Sequence, residues 1–380
     1  MSGSAICRTR RGSESIEPNY ERPHGVPSVF QWYLHHCLRQ ERSEPTSEAN
    51  VLDGGAGLHT YMSLTSVLKS DRTLARSLAD LVSVSGAPRP GDLPSVAPAE
   101  TKHYQLVGTA FDYLFRFEVQ RRNPNAKSTG WVASMAVELL KPDLSEEAGT
   151  ARQWPGVPDP IGLANEGDDI LKEARAAHLQ YLRLRDPTTE QVAEVASHAL
   201  RLAKLDFIYR AGFIDPDLKG VDPLDVRDLV RLCHAIPFEA AMSMCMGDGV
   251  WLNPRFGLFS VGIQGADADI VAGHALIDLK TSIKPDVGPH LAQIVGYSML
   301  AEAYRKDGDP TFPEVESLGL YFSRQGTLVS FPMAPVRDHP GYAGAFAALM
   351  EHCTKEPITK IDLRHRLTAR RPSTSGGPDA

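Results

Sequence analysis

No tract in this 380-residue chain approaches the ~18 consecutive apolar residues that a membrane-spanning helix needs. Its first residues, MSGSAICRTRRGSES, lack the apolar core of a secretion signal. The five cysteines, Cys7, Cys37, Cys233, Cys245 and Cys353, are odd in number and never fall in a CxxC pair. That argues against a disulfide framework or a zinc knuckle and for reduced thiols, so a cytoplasmic location is expected, with no membrane partner. Excess positive charge is missing too: 40 Lys and Arg stand against 47 Asp and Glu, a formal net charge of −7. Any phosphate-binding face must therefore be local. No solenoid-like repeat is present.

What remains is an ordinary globular composition, 42% hydrophobic and 23% charged, on a chain long enough to bury a substantial core. Residues 1–25 are polar and irregular, and residues 364–380 are basic, then rich in Ser, Gly and Pro. A helix over 61–84 is followed by a Pro-rich linker, 85–100. Three helices are predicted next, from about Gly108, over Trp131–Leu140 and over Asp169–Arg185. A long helix then opens on the capping box Thr188/Gln191 and stops at Gly212. Beyond residue 245 the pattern predicts strands over 256–282, a helix over 289–305 and strands over 315–331. Residues 1–100 thus form an N-terminal region, 101–363 the main domain with a metal-site core at 256–331, and 364–380 a basic tail. The expected fold is α/β (α+β), a mixed sheet flanked by helices with a large helical N-terminal or inserted region.

The informative segment is FSVGIQGADADIVAGHALIDLKTS, Phe259 to Ser282. With a two-residue turn at Gly273-His274, counting places Val271 opposite Leu276, Asp269 opposite Asp278 and Asp267 opposite Lys280. Side chains alternate, so Asp267, Asp269, Asp278 and Lys280 share one face, while Ala268, Ile270, Ile277 and Leu279 share an apolar, buried one. Facing carboxylates repel unless a cation sits between them. Hard oxygen donors without nearby cysteine point to Mg2+ or Mn2+, with Lys280 reaching the same phosphate or water. Asp267 is expected to pair with Lys280 or to cap the strand entry. His274 reads as a turn residue. The adjacent His35-His36 do not share a helix face and form no metal site. Arg121-Arg122 and Lys127 form a basic loop that either meets phosphates or is merely solvated.

Asp269, then Ile277-Asp278-Leu279-Lys280-Thr281, then Gln293-x-x-x-Tyr297 resembles the RecB-type branch of the PD-(D/E)xK nuclease superfamily. The match spans about forty residues. The resemblance implies a restriction-endonuclease-like fold, Asp269 and Asp278 as metal ligands together with the Leu279 main-chain carbonyl, Lys280 as catalytic lysine, and Gln293 and Tyr297 as substrate-positioning residues. The upstream acid of many members is not obvious; Glu138 and Glu118 are candidates, while Asp112 and Arg116 read as an i,i+4 surface pair. The expected function is Mg2+- or Mn2+-dependent hydrolysis of nucleic acid, DNA first, in DNA repair or phage defence. The competing readings are a metal-dependent phosphoesterase on small substrates and a non-catalytic DNA-binding or assembly subunit, with the helical region holding a protein partner.

Overall fold

The computed structural model describes residues 63–82, 92–141, 157, 159–263 and 265–353. The terminal segments 1–25 and 364–380, His35-His36 and part of the 85–100 linker lie outside the described residues.

Side-chain caps fix the helix starts. Ser63 and Asp71 each accept a backbone N–H, so the helix expected over 61–84 is instead two, α1 (Leu64–Ser70) and α2 (Arg72–Ala79). After α3 (Tyr104–Arg122), β1 (Lys127–Ser128) and α4 (Val132–Leu140), α5 (Pro160–Tyr181) begins nine residues before the expected start. Asp159 caps it and Pro160 occupies the first turn, where proline starts a helix. The helix α6 (Thr189–Ala211) carries the expected capping box, and Gly212 ends it with φ 63°. Next come α7 (Pro223–His234) and β2 (Val250–Leu252).

The first strand residues expected from 256 are instead a short helix, α8 (Gly257–Gly262). The Ser260 hydroxyl accepts from Phe256 N–H and donates to the Ala266 carbonyl, closing this turn on itself. A Cβ on Gly262 would collide with the Cys353 carbonyl, so this glycine lets two segments touch. Then follow β3 (Ile270–Ala272), β4 (Ala275–Lys280), α9 (Gly288–Asp307), β5 (Ser317–Phe322), β6 (Thr327–Pro332), α10 (Met333–Arg337) and α11 (Tyr342–Cys353).

The six strands form one mixed sheet in sequence order. β1–β2 and β4–β5 are parallel, and the other neighbours are antiparallel. The architecture is α+β. Ile270, Ile277, Leu279 and Tyr321 bury one face against α3 to α7. Val271, Leu276, Leu318, Leu320 and Phe322 bury the other against α1, α2, α9 and α11. Neither face is left to solvent, contrary to the one-sided hairpin expected, so Asp278 lies within packed structure at 3% exposure. Leu64, Val67, Leu74 and Leu78 share the core of α9, which ties α1 and α2 to the sheet. The described residues form one compact unit.

Candidate metal centre

The β3–β4 hairpin adopts the register counted from the sequence: Val271 pairs with Leu276 and Ile270 with Ile277. Gly273 takes φ 58° in the turn. Regular pairing starts at Ile270, and Asp269 departs from it. Its carbonyl accepts from Asn253 N–H, and its Oδ2 accepts from Leu279 N–H at 2.6 Å. The Asp269 carboxylate thereby leans onto the backbone of the strand that carries Asp278 and Lys280.

Lys280 Nζ lies 2.5 Å from Asp278 Oδ2, with the side chains 14% and 4% exposed. The contact is an ion pair with poor hydrogen-bond direction, for Asp278 Oδ2 is buried without a well-aligned donor. Lys280 also donates to Gln293 Oε1 at 3.1 Å, and Gln293 Nε2 donates to Tyr297 Oη at 3.2 Å and Thr65 Oγ1 at 3.1 Å. A buried clamp holds the end of β4: Arg324 pairs with Asp228 at 2.9 and 3.0 Å and donates to the Thr281 carbonyl, while the Ser323 hydroxyl donates to the Lys280 carbonyl.

Asp112 enters from α3, whose Gly108 lies one turn earlier beside Thr281. It is no surface pair with Arg116. Arg116 is buried, donates to Asn253 Oδ1 at 3.1 Å and stacks on Tyr113. Burial pushes the Asp112 carboxyl up to about 7, with Arg116 and Lys280 opposing and Asp278 adding. Asp269 is raised well above the usual carboxylate range by burial and by the charges of Asp112 and Asp278. Burial works against the Lys280 ammonium, but Asp278 and Asp269 outweigh it and raise its pKa. Burial holds the Tyr297 phenol well above its ordinary value. Asp112, Asp269 and Lys280 each keep partial exposure, so the cluster opens to solvent above a buried Asp278.

Asp267 supplies the contrast. Burial opposes its charge too, but Arg210 meets it at 2.6 Å and brings its pKa below the ordinary value. Its predicted pairing with Lys280 is therefore corrected to Arg210, which also holds Asp206, and the Asp267 backbone forms an isolated antiparallel β-bridge with that of Arg255. At Asp267 the Arg210 charge outweighs burial; at Asp112 and Asp269 burial prevails, with the neighbouring carboxylates adding to it.

Asp269, Asp278, Lys280, Gln293 and Tyr297, read from the motif, are brought together; Glu138 and Glu118 are not. Glu138 is 47% exposed at its side chain and pairs with Lys141 at 2.8 Å, which corrects its expected role as a ligand. Glu118 is held by Arg121, Arg122 and the Tyr181 hydroxyl. That ion-pair group also removes Arg121 and Arg122 from the proposed basic loop as free cations, while Lys127 sits over Trp251. Sequence reasoning passed over Thr65 and His290. Burial pushes the His290 imidazole down to about 4, with Lys280 adding and Asp278 and Asp286 opposing.

Among the described residues, the one group of three His, Cys, Asp or Glu with ligand atoms within 4.8 Å of one another is His103, Asp222 and Asp225. Helix capping accounts for it: Asp222 accepts from Leu224 N–H at 2.8 Å, and Asp225, in the first turn of α7, meets His103 at 2.9 Å. The positive end of the helix dipole favours acids there and disfavours a cation. Asp112, Asp269 and Asp278 are not drawn in so closely. They nevertheless suit a hard divalent cation: all donors are oxygen, two carboxyls are raised, and a buried Asp278 oxygen lacks an aligned donor. Neither the protein-family models, the curated proteins nor the solved structures contain a match to this chain.

Proposed function

We propose that this chain is a divalent-metal-dependent nuclease that hydrolyses phosphodiester bonds of nucleic acid, with DNA as the first substrate to test. One observation carries the reading: Asp112, Asp269 and Asp278 act on one another's charge beside Lys280, which pairs with Asp278, and burial together with the neighbouring carboxylates raises Asp112 and Asp269. Proteins place unmatched buried carboxylates at sites of function far more readily than in structural cores. The order of acid, D-x-K and Q-x-x-x-Y in the sequence supports the same reading.

Asp112, Asp269 and Asp278 would hold Mg2+ or Mn2+. Such an ion, when bound, polarises the scissile phosphate and lowers the pKa of a water. Lys280 stays charged and partly exposed, so its ammonium can neutralise a phosphate oxygen and orient the attacking water. Gln293 fixes that ammonium, and Tyr297, with a phenol that stays protonated, keeps a hydroxyl donor beside it. The packed layers on both sheet faces shield Asp278 from bulk water, which strengthens every charge interaction at the site.

Two cavities, of about 640 and 350 Å3, are lined by other residues, among them His103, Lys204 and Asp222 in the first and Arg121, Arg122 and Met246 in the second. A partly exposed cluster suits a polymer lying across it better than a small ester in an enclosed pocket, which places the phosphoesterase reading second. A non-catalytic subunit has no need of three acids gathered beside one lysine.

The test is a cleavage panel on linear, circular and single-stranded DNA and on RNA, with Mg2+ or Mn2+. Wild type is expected to cleave, Lys280→Ala and Asp278→Ala to lose cleavage by about 10²-fold or more, and both variants to keep the wild-type circular dichroism spectrum. Equal cleavage by all three proteins would refute the reading.

A further inference from the structure

A glutamine side chain has one acceptor and two donors on a single plane, so fixing any two of them fixes the third. At Gln293 all three have partners. Oε1 accepts from Lys280 Nζ at 3.1 Å, and Nε2 donates to Thr65 Oγ1 at 3.1 Å and to Tyr297 Oη at 3.2 Å. Tyr297 is one turn along the same helix, so by itself it leaves the amide free to swing with α9. Thr65 comes from α1, 228 residues away in sequence.

The approach of α1 to α9 is built into both helices. The Ser63 side chain caps α1, and Leu64 and Val67 are fully buried against α9. Gly296 makes room: a Cβ there would stand 3.0 Å from Leu64 Cδ2, tighter than ordinary packing allows. Leu64 therefore seats on α9 near the turn that carries Gln293, and the next residue, Thr65, brings its hydroxyl to the amide.

We infer that Thr65 is a positioning residue for Lys280, acting through the Gln293 amide, and that α1 is part of the active site. Its hydroxyl holds the amide in place, and the donor-only ammonium selects the carbonyl oxygen, not the NH2 group, as the end that faces it. Turned over, the amide would place two N–H donors against a cation that has no acceptor. The catalytic consequence rests on the nuclease reading; the amide geometry does not.

The experiment uses the full chain in EDTA, with nitrogen-15 spectra of side-chain amides and the Gln293 pair assigned by its disappearance in Gln293→Glu. In wild type both Nε2–H signals exchange slowly with water. In Thr65→Val, which removes the hydroxyl and keeps the shape, one of them should exchange about five- to tenfold faster, as for one lost hydrogen bond. Thr65→Ser should restore it. In the cleavage assay Thr65→Val should lower kcat about five- to tenfold with KM within about twofold, and Thr65→Ser should recover kcat. A loss of packing alone would not follow the hydroxyl in this way. Thr65→Ala removes the same hydroxyl with better helix propensity and gives the same comparison should the valine variant fold poorly. Unchanged Gln293 exchange in the variants lacking the hydroxyl, or a Thr65→Ser protein as impaired as Thr65→Val, would overturn the inference. Amide behaviour as expected in a wild type that cleaves no nucleic acid would instead remove the nuclease reading and leave the clamp.

Discussion

A carboxylate on the apolar run of Phe111, Leu114 and Phe115 loses hydration, and at Asp112 that loss pushes the pKa up to about 7 from an ordinary value of 3.8. The sign of its effect on stability follows. Between those two values the folded chain holds a proton that the unfolded chain has released, so stability falls as pH rises through that window. Asp112→Asn, which cannot ionise, should make the metal-free melting temperature fall less steeply between about pH 4 and pH 7 and raise it above wild type at pH 8. Differential scanning in EDTA across pH decides; a variant less stable than wild type at pH 8 would show that Asp112 has a cation partner inside the protein. The five motif residues were legible because hairpin register and helical spacing are local. Asp112 was not. Its local pattern, four residues before Arg116, reads as a surface pair, and only the contact between Gly108 and Thr281 brings its helix to the hairpin. Thr65 was hidden for the same reason, as its partner amide lies on another helix.

The elements that hold the site are fixed by caps and by one buried ion pair. Thr188, Gln191 and Gly212 announced both ends of α6 because capping chemistry is written in the residues that perform it. The segment 257–262 misled because alternation over a few residues is compatible with a strand, while the decisive contact is Gly262 against the distant Cys353. Arg324 and Asp228 were not legible at all as a pair. Together they tie β4's end and the 95–97 segment to α7: Arg324 donates to the Thr281 and Ala97 carbonyls, and its own carbonyl accepts from Val96 and Ala97 N–H. Both side chains are almost completely buried, 1% and 0% exposed, so removing one partner strands a charge. Arg324→Met should cost roughly 3–5 kcal/mol in urea unfolding. Arg324→Met with Asp228→Leu should recover a large part of that loss, since no unpaired charge remains. A single variant as stable as wild type would show that the pair does not fasten the strand end.

At the scale of the whole molecule, the chain brings an overall charge of −7 to a proposed polyanionic substrate, so attraction has to be local and cation-mediated. The layered arrangement makes that possible. Helices α3 and α9 approach opposite faces of one sheet, and at the end of β4 they bring Asp112 from one side and Gln293 and Tyr297 from the other. No described helix is long and apolar enough to cross a membrane. The mixed sheet and its flanking helices were legible as a class, and the packing of α1 and α2 into the same core was not, since a short amphipathic helix does not reveal which surface it covers. The carboxylates around Lys280 are proposed to form a cation site. Asp278 already meets Lys280, which makes Asp112 the cleaner reporter. Melting curves of wild type and Asp112→Asn at pH 8, each in EDTA and in Mn2+, test it without knowledge of the substrate. Wild type should gain about 2.7 kcal/mol of stability at a hundredfold excess of Mn2+ over Kd, and Asp112→Asn, at least as stable as wild type in EDTA, should gain clearly less; a variant that is weaker in EDTA, with no effect of Mn2+ on either protein, would contradict the account.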